Sequence, residues 1–314
     1  MITLIRKQLE EFLFPARSMV WIALLRVGLG LQVTVYSLSL WNDWVYLLAA
    51  SSDSLISRDL SEAILSLDSA FIPRLGWLVA LGGQLGLSEQ VTLRVVLGCL
   101  LCSGVCLLIG FLSRPAAIAA WLLHLAARSS GGLTAYGVDN FMTIGLFYLM
   151  LCPLPDRYSL ESWLWKSRTP DPQRVGFHQR VLQLHLCLIY FFGGLAKSLG
   201  AGWWNGNSIW RALTRSPFNI IPPDFLLQWS ALLPLMGILI CLVEIGYPVF
   251  IWPKKTRHIW LAGVLAMHAA IGAAMGLYLF ALIMIVLNLA AFGSNFIAIP
   301  FRKIRQPPTR LPQT

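Results

Sequence analysis

The chain has 314 residues, of which 57% are hydrophobic and only 12% charged; soluble domains carry about 25% charged residues, so the composition excludes a water-soluble enzyme. The net charge of +10 does not mark a nucleic-acid binder, because Lys and Arg sit between apolar blocks rather than along one face. What remains is an all-α polytopic membrane protein, with 13 Trp suited to the headgroup level and 25 Gly tolerated inside spanning helices.

A spanning helix needs about 20 mainly apolar residues. Runs of that kind fall at 18–40, 92–112, 115–129, 139–154, 180–199, 229–252, 257–275 and 277–298, which predicts a bundle of about eight transmembrane helices. The first run is long, contains Arg26 and lacks a small-x-small site, so no cleavable signal peptide is expected. Residues 41 to about 91 form one long outer segment, with an amphipathic or re-entrant piece expected near 55–87. Residues 1–300 read as one transmembrane domain and 301–314 as a basic, proline-rich cytoplasmic tail. Alternate gaps, starting at the amino terminus, hold sixteen Lys and Arg against five in the others, so both termini are expected in the cytoplasm. The six Cys lie in or beside apolar runs and behave as small hydrophobes; they give no disulfide framework and no metal site.

An ionisable group at membrane depth costs at least about 2.5–3.5 kcal/mol and is a functional candidate by default. Arg26, His124, Lys197 and His268 meet that description. All four fall on helices running outward, which predicts one outward-opening apolar pocket among spans 1, 3, 5 and 7. Arg26 calls for a carboxylate or helix carbonyls inside the bundle, and Glu244 and Asn288 are the side-chain partners expected in the interior. His124, with Trp121 and Arg128 on one face, reads as a proton relay, a ligand wall or an interhelical hydrogen bond, and His268 reads the same way. Paired imidazoles can ligate haem, but there is no CxxCH motif and the histidines form no two same-depth pairs, so haem is not expected. Tyr190, Gly193 and Lys197 share a helix face, and Gly193 and Gly194 let a neighbouring helix or a flat ligand approach the backbone. A lysine desolvated there can act as a base; the other reading is a lysine snorkelling to the outer headgroups. With no HExxH, GxSxG or phosphate-cradling loop, hydrolase and nucleotidase chemistry has no residue to rest on.

Four segments carry a resemblance: RVGLG (26–30), WLLH (121–124), DNFMTIGLFYLMLCPLPDRYSLE (139–161) and YFFGGLAKSLGAGWWNG (190–206). In this order and spacing the chain resembles the HTTM family, the horizontally transferred transmembrane domain that includes the membrane part of vitamin K-dependent γ-carboxylase. The resemblance implies that Lys197 is the base acting on a reduced, vitamin K-type quinone, at the non-cytoplasmic face. There the quinol anion reacts with oxygen to form the strong base that carboxylates a glutamate side chain. It implies a catalytic role for Asp139, which stands in GVDN (137–140) where the carboxylase has a histidine, with His124 beside it. Arg26, Tyr190, Gly193, His268 and Trp204 are then the ligand-binding positions. The carboxylase's soluble substrate domain has no counterpart here, and compact HTTM proteins also include bacterial membrane subunits that help mature a secreted peptide. The second expectation is therefore a non-enzymatic subunit of a bacterial inner membrane that binds lipid, quinone or a membrane or secreted protein partner.

Overall fold

The computed structural model of the chain describes residues 2–50, 57–69, 71–132, 135–165 and 170–294; the basic tail 301–314, together with Lys166 and Arg168, lies outside the described residues. Among these the chain is helical, without a strand. An amphipathic α1 (Ile2–Leu13) precedes α2 (Val20–Ser39), and the long segment between the first two apolar runs forms α3 (Trp44–Leu48), α4 (Arg58–Asp68) and α5 (Leu75–Gln84). Then come α6 (Glu89–Ile109), α7 (Ser113–Gly131), α8 (Gly137–Leu151), the short α9 (Leu160–Leu164) and the long α10 (Pro172–Ser198). Three short helices, α11 (Ala201–Trp204), α12 (Asn207–Thr214) and α13 (Pro223–Gln228), lead into α14 (Leu232–Phe250), α15 (Lys254–Met275) and α16 (Tyr278–Asn288), which ends in a π-helical turn over Leu289–Gly293.

Five helices, α2, α6, α10, α14 and α15, are long and apolar enough to cross a membrane, which makes the chain a multi-pass membrane protein of α-helical class. Their outward residues are large and apolar, as Val95, Leu188, Phe192, Leu239, Leu242 and Ile259 illustrate, a surface that suits acyl chains and not water. The other expected spans correspond to α7, α8 and α16. The last two are short apolar helices, and α8 buries Val138, Met142, Leu146 and Leu149 completely. At 1.5 Å per residue, its 15 residues reach about 22 Å, so it meets protein on several sides where longer helices meet lipid.

The eight helices run in alternating directions. At one end the Arg17 amide donates to the Pro172 carbonyl at 3.0 Å, and Arg114 Nη2 donates to the Cys152 carbonyl at 3.0 Å. The Glu161 amide reaches the Gly110 carbonyl at 2.9 Å. Arg180 donates to the Phe12 carbonyl and lies over the rings of Phe12 and Trp252, at 4.3 and 4.8 Å. The starts of α2, α7 and α10 and the ends of α6, α8 and α14 therefore share one end of the bundle. At the opposite end, Arg58 bonds Glu89 at 2.6 Å and Ser130 Oγ donates to Glu62 at 2.6 Å, fastening that long segment onto α6 and α7. The amphipathic piece expected near 55–87 is thus α4 and α5, lying on the bundle.

Two glycines mark points where the backbones of long helices meet. A Cβ at Gly30 would fall 2.5 Å from the Leu108 nitrogen, and one at Gly194 would fall 2.8 Å from both Glu244 Cβ and the Ile245 nitrogen. Backbones meet at these points, α2 on α6 and α10 on α14, as small residues allow when no hydrophobic driving force operates between helices in lipid.

Candidate ligand site

The last turn of α10 carries Lys197, and α14 presents Glu244 to it through the contact that Gly194 permits. Lys197 Nζ donates to Glu244 Oε2 at 2.6 Å, with side-chain exposures of 28% and 10%, so the cation is reachable and the carboxylate nearly enclosed. The ammonium lies 5.5 Å from the Trp203 ring centre. Lys197 is therefore neither unaccompanied nor held only by headgroups: its charge is matched within the fold. Trp204, expected to line the site, is half exposed and donates to the Ser198 carbonyl at 2.7 Å; the aromatic wall is its neighbour. At Gly193 a Cβ would stand in ordinary contact, 3.5 Å from Glu244 Oε2 and 3.6 Å from Lys197 Nζ, so the glycine that the packing requires is Gly194.

Two turns deeper on the same face, Tyr190 enters a buried hydrogen-bond chain. Asn288 Nδ2 donates to the Met284 carbonyl at 2.8 Å and to Tyr190 Oη at 2.8 Å, and Tyr247 donates to Asn288 Oδ1 at 2.8 Å. A carbonyl only accepts, so the Met284 bond fixes which amide atom is nitrogen. Tyr190 must then accept from Asn288 and give its own proton to His268 Nε2, 2.8 Å away. It follows that neutral His268 carries its hydrogen on Nδ1, and this buried N–H has no partner among the described residues. Tyr190 and Tyr247 pack ring on ring at 4.2 Å, while His268 stands edge-on to Phe280 at 5.7 Å. Lys197 and Glu244 lie within electrostatic reach of His268 and Tyr190 respectively.

His124 and Asp139 belong to a separate cluster on α7 and α8. His124 Nε2 donates to the Asp139 carbonyl at 3.2 Å, which leaves Nδ1 as a buried acceptor without a partner among the described residues. The Asp139 carboxylate accepts from Tyr36 Oη at 3.0 Å and from the Tyr136 amide at 2.9 Å, where it caps α8. Both oxygens are engaged, and the side chain is 3% exposed. Burial and the Asp139 charge push the Tyr136 phenol up, so it keeps its proton.

Arg26 is held elsewhere again. Its Nε donates to Asp156 Oδ2 at 2.5 Å, and Nη1 donates to the Leu107 carbonyl at 2.7 Å. The interior partner of Arg26 is thus neither Glu244 nor Asn288, which serve Lys197 and the tyrosines. The four ionisable residues expected around one pocket divide among three places: Arg26 with Asp156, His124 with Asp139, and His268 with Lys197. Phe280, which stands 5.9 Å from Phe141 of α8 as well as beside His268, lies between the last two. Glu244 was legible as the single acidic residue in the 229–252 run. Asp156 follows a Pro-rich turn outside every apolar run, so no depth argument finds it.

Compared with protein-family models, with curated proteins and with solved structures, the chain finds no match. The multi-pass fold and the site therefore rest on the chain's own residues.

Proposed function

We propose that this chain is a membrane protein of HTTM type, with all eight alternating helices crossing the bilayer and both termini in the cytoplasm, and that it works as a quinol-dependent, γ-carboxylase-like enzyme on the outer face. The supporting observation is the Lys197–Glu244 pair at 2.6 Å, partly open at the end of α10. A bound quinol would supply an acidic ring hydroxyl beside this pair. When the Lys197 proton passes to Glu244, the ε-amine is left with a lone pair to take that hydroxyl proton. The Trp203 ring and the exposed Leu199 provide an apolar approach from the lipid side, and Tyr190 and His268 form the buried wall behind it.

The test is extraction in mild detergent followed by mass spectrometry of the bound small molecule. Wild type should retain an isoprenoid quinone and Lys197→Ala should lose it while remaining folded. Lys197→Arg should be inactive, because guanidinium stays protonated; a fully active Lys197→Arg protein would end the base assignment. The second reading, a non-enzymatic subunit, is favoured by one observation: Asp139, at the place of the carboxylase histidine, spends both carboxylate oxygens on holding Tyr36 and the start of α8. On that reading a stoichiometric protein partner co-purifies and the arginine variant behaves as wild type.

A further inference from the structure

A cavity of about 240 Å³ lies between α2, α3, α7, α8 and the start of α16. Its walls are mainly apolar, with Leu40, Leu47, Leu48 and Leu279 among them, and Arg128 and Tyr136 supply polar groups. The lining holds one cation, Arg128, and one carboxylate, Asp139, and the two are not paired with each other. Arg128 donates from Nη2 to the Asn140 side-chain oxygen at 2.5 Å, and among the described residues no carboxylate stands within 4.0 Å of it. A guanidinium has five N–H donors, so most of its capacity is unspent. Asp139 also lines the cavity; its carboxylate keeps its charge but is turned to Tyr36 Oη and the Tyr136 amide and makes no ion pair with Arg128. The Tyr136 phenol, held protonated, is a second donor facing the same space.

A guanidinium that has no carboxylate partner among the described residues and borders an apolar cavity is complementary to an anion with an apolar body. We propose that this cavity binds an amphipathic anion, its head on Arg128 and Tyr136 and its apolar body against Leu40, Leu47, Leu48 and Leu279. The site is separate from the Lys197 pair and stands whether or not a quinol binds there. The anion can reach it as a free fatty-acid carboxylate or as the head of an anionic phospholipid, and the experiment distinguishes the two.

The full-length protein in phosphatidylcholine nanodiscs is titrated with radiolabelled dodecanoate and dodecanol, and saturable uptake is measured above that of empty nanodiscs. Dodecanoate should bind at least about tenfold more tightly than dodecanol, the size expected of one charge-assisted contact. Arg128→Gln should abolish the preference while leaving dodecanol uptake unchanged, and Leu279→Trp, which fills the cavity without altering its charge, should reduce uptake of both. Repetition in phosphatidylglycerol nanodiscs identifies the source: lost dodecanoate binding points to the phospholipid, and retained binding to the free acid. Equal affinity for acid and alcohol, an Arg128→Gln protein that still prefers the acid, or a Leu279→Trp protein that binds like wild type would each overturn the proposal.

Discussion

The α2, α6, α7 and α8 side of the bundle and the α10, α14, α15 and α16 side both bury ionisable residues, but they use them differently. On the first side, Arg26 and Asp156 are 1% and 0% exposed and add bonds to the Leu107 and Tyr158 carbonyls, while Asp139 and His124 bond largely to backbone. These polar groups close the ends of helices and lock loops. On the second side backbone bonds such as Asn288 to the Met284 carbonyl are joined by a run of side chains bonded to one another, in the order Tyr247, Asn288, Tyr190, His268, with a lysine–glutamate pair left partly open above them. Polar groups consumed by backbone hold a fold together, whereas a chain of side chains lying below a reachable ion pair can respond to a ligand. That difference, more than the presence of ionisable residues, places the candidate site on the second side.

The comparison breaks most visibly at Arg26. Arg26→Met leaves Asp156 as an uncompensated charge in a closed site, a loss expected at about 3–5 kcal/mol. Monodisperse protein in gel filtration should largely disappear, and an Arg26→Met protein as heat-stable as wild type would refute a structural role for the pair. A glycine pair sharpens the second side. Gly194→Ala forces a methyl to 2.8 Å from Glu244 Cβ and should cost about 1–3 kcal/mol by overpacking, parting α10 from α14 and weakening the Lys197–Glu244 contact. Gly193→Ala meets its neighbours at 3.5 Å or more and should unfold in a thermal scan at a temperature close to wild type. The reverse ranking would mean that the helices meet through Gly193. The smallest effect belongs to Tyr247→Phe. It removes one donor to Asn288 Oδ1 and should cost about 1 kcal/mol; a loss as large as that of Arg26→Met would show that the chain carries the fold on this side too.

Much of the architecture was legible because apolar runs report burial in lipid directly. The eight expected runs coincide with α2, α6, α7, α8, α10, α14, α15 and the α16 segment, and five of those helices are long and apolar enough to span. The charge rule that marked Arg26, His124, Lys197 and His268 found residues of which three are buried and the fourth is paired. It could not join them to partners, since sequence depth gives a height along a helix and no rotation against its neighbours. From sequence, Glu244 and Asn288 are the interior partners expected of Arg26, whereas its carboxylate comes from Asp156 in the loop after α8.

The sequence by itself determined the all-helical membrane class, the positions of the helices and the residues too costly to leave in lipid, because these follow from transfer free energies that each segment carries alone. Only the tertiary structure decided that Gly194 and not Gly193 admits α14, that Trp203 and not Trp204 faces the lysine, and that Asp139 is spent on Tyr36 and a helix cap. Each of those outcomes depends on how one helix is rotated against another. That rotation is set by the summed packing of the whole bundle, in which residues far apart in the chain choose one another by shape and by the need to pair every buried polar atom.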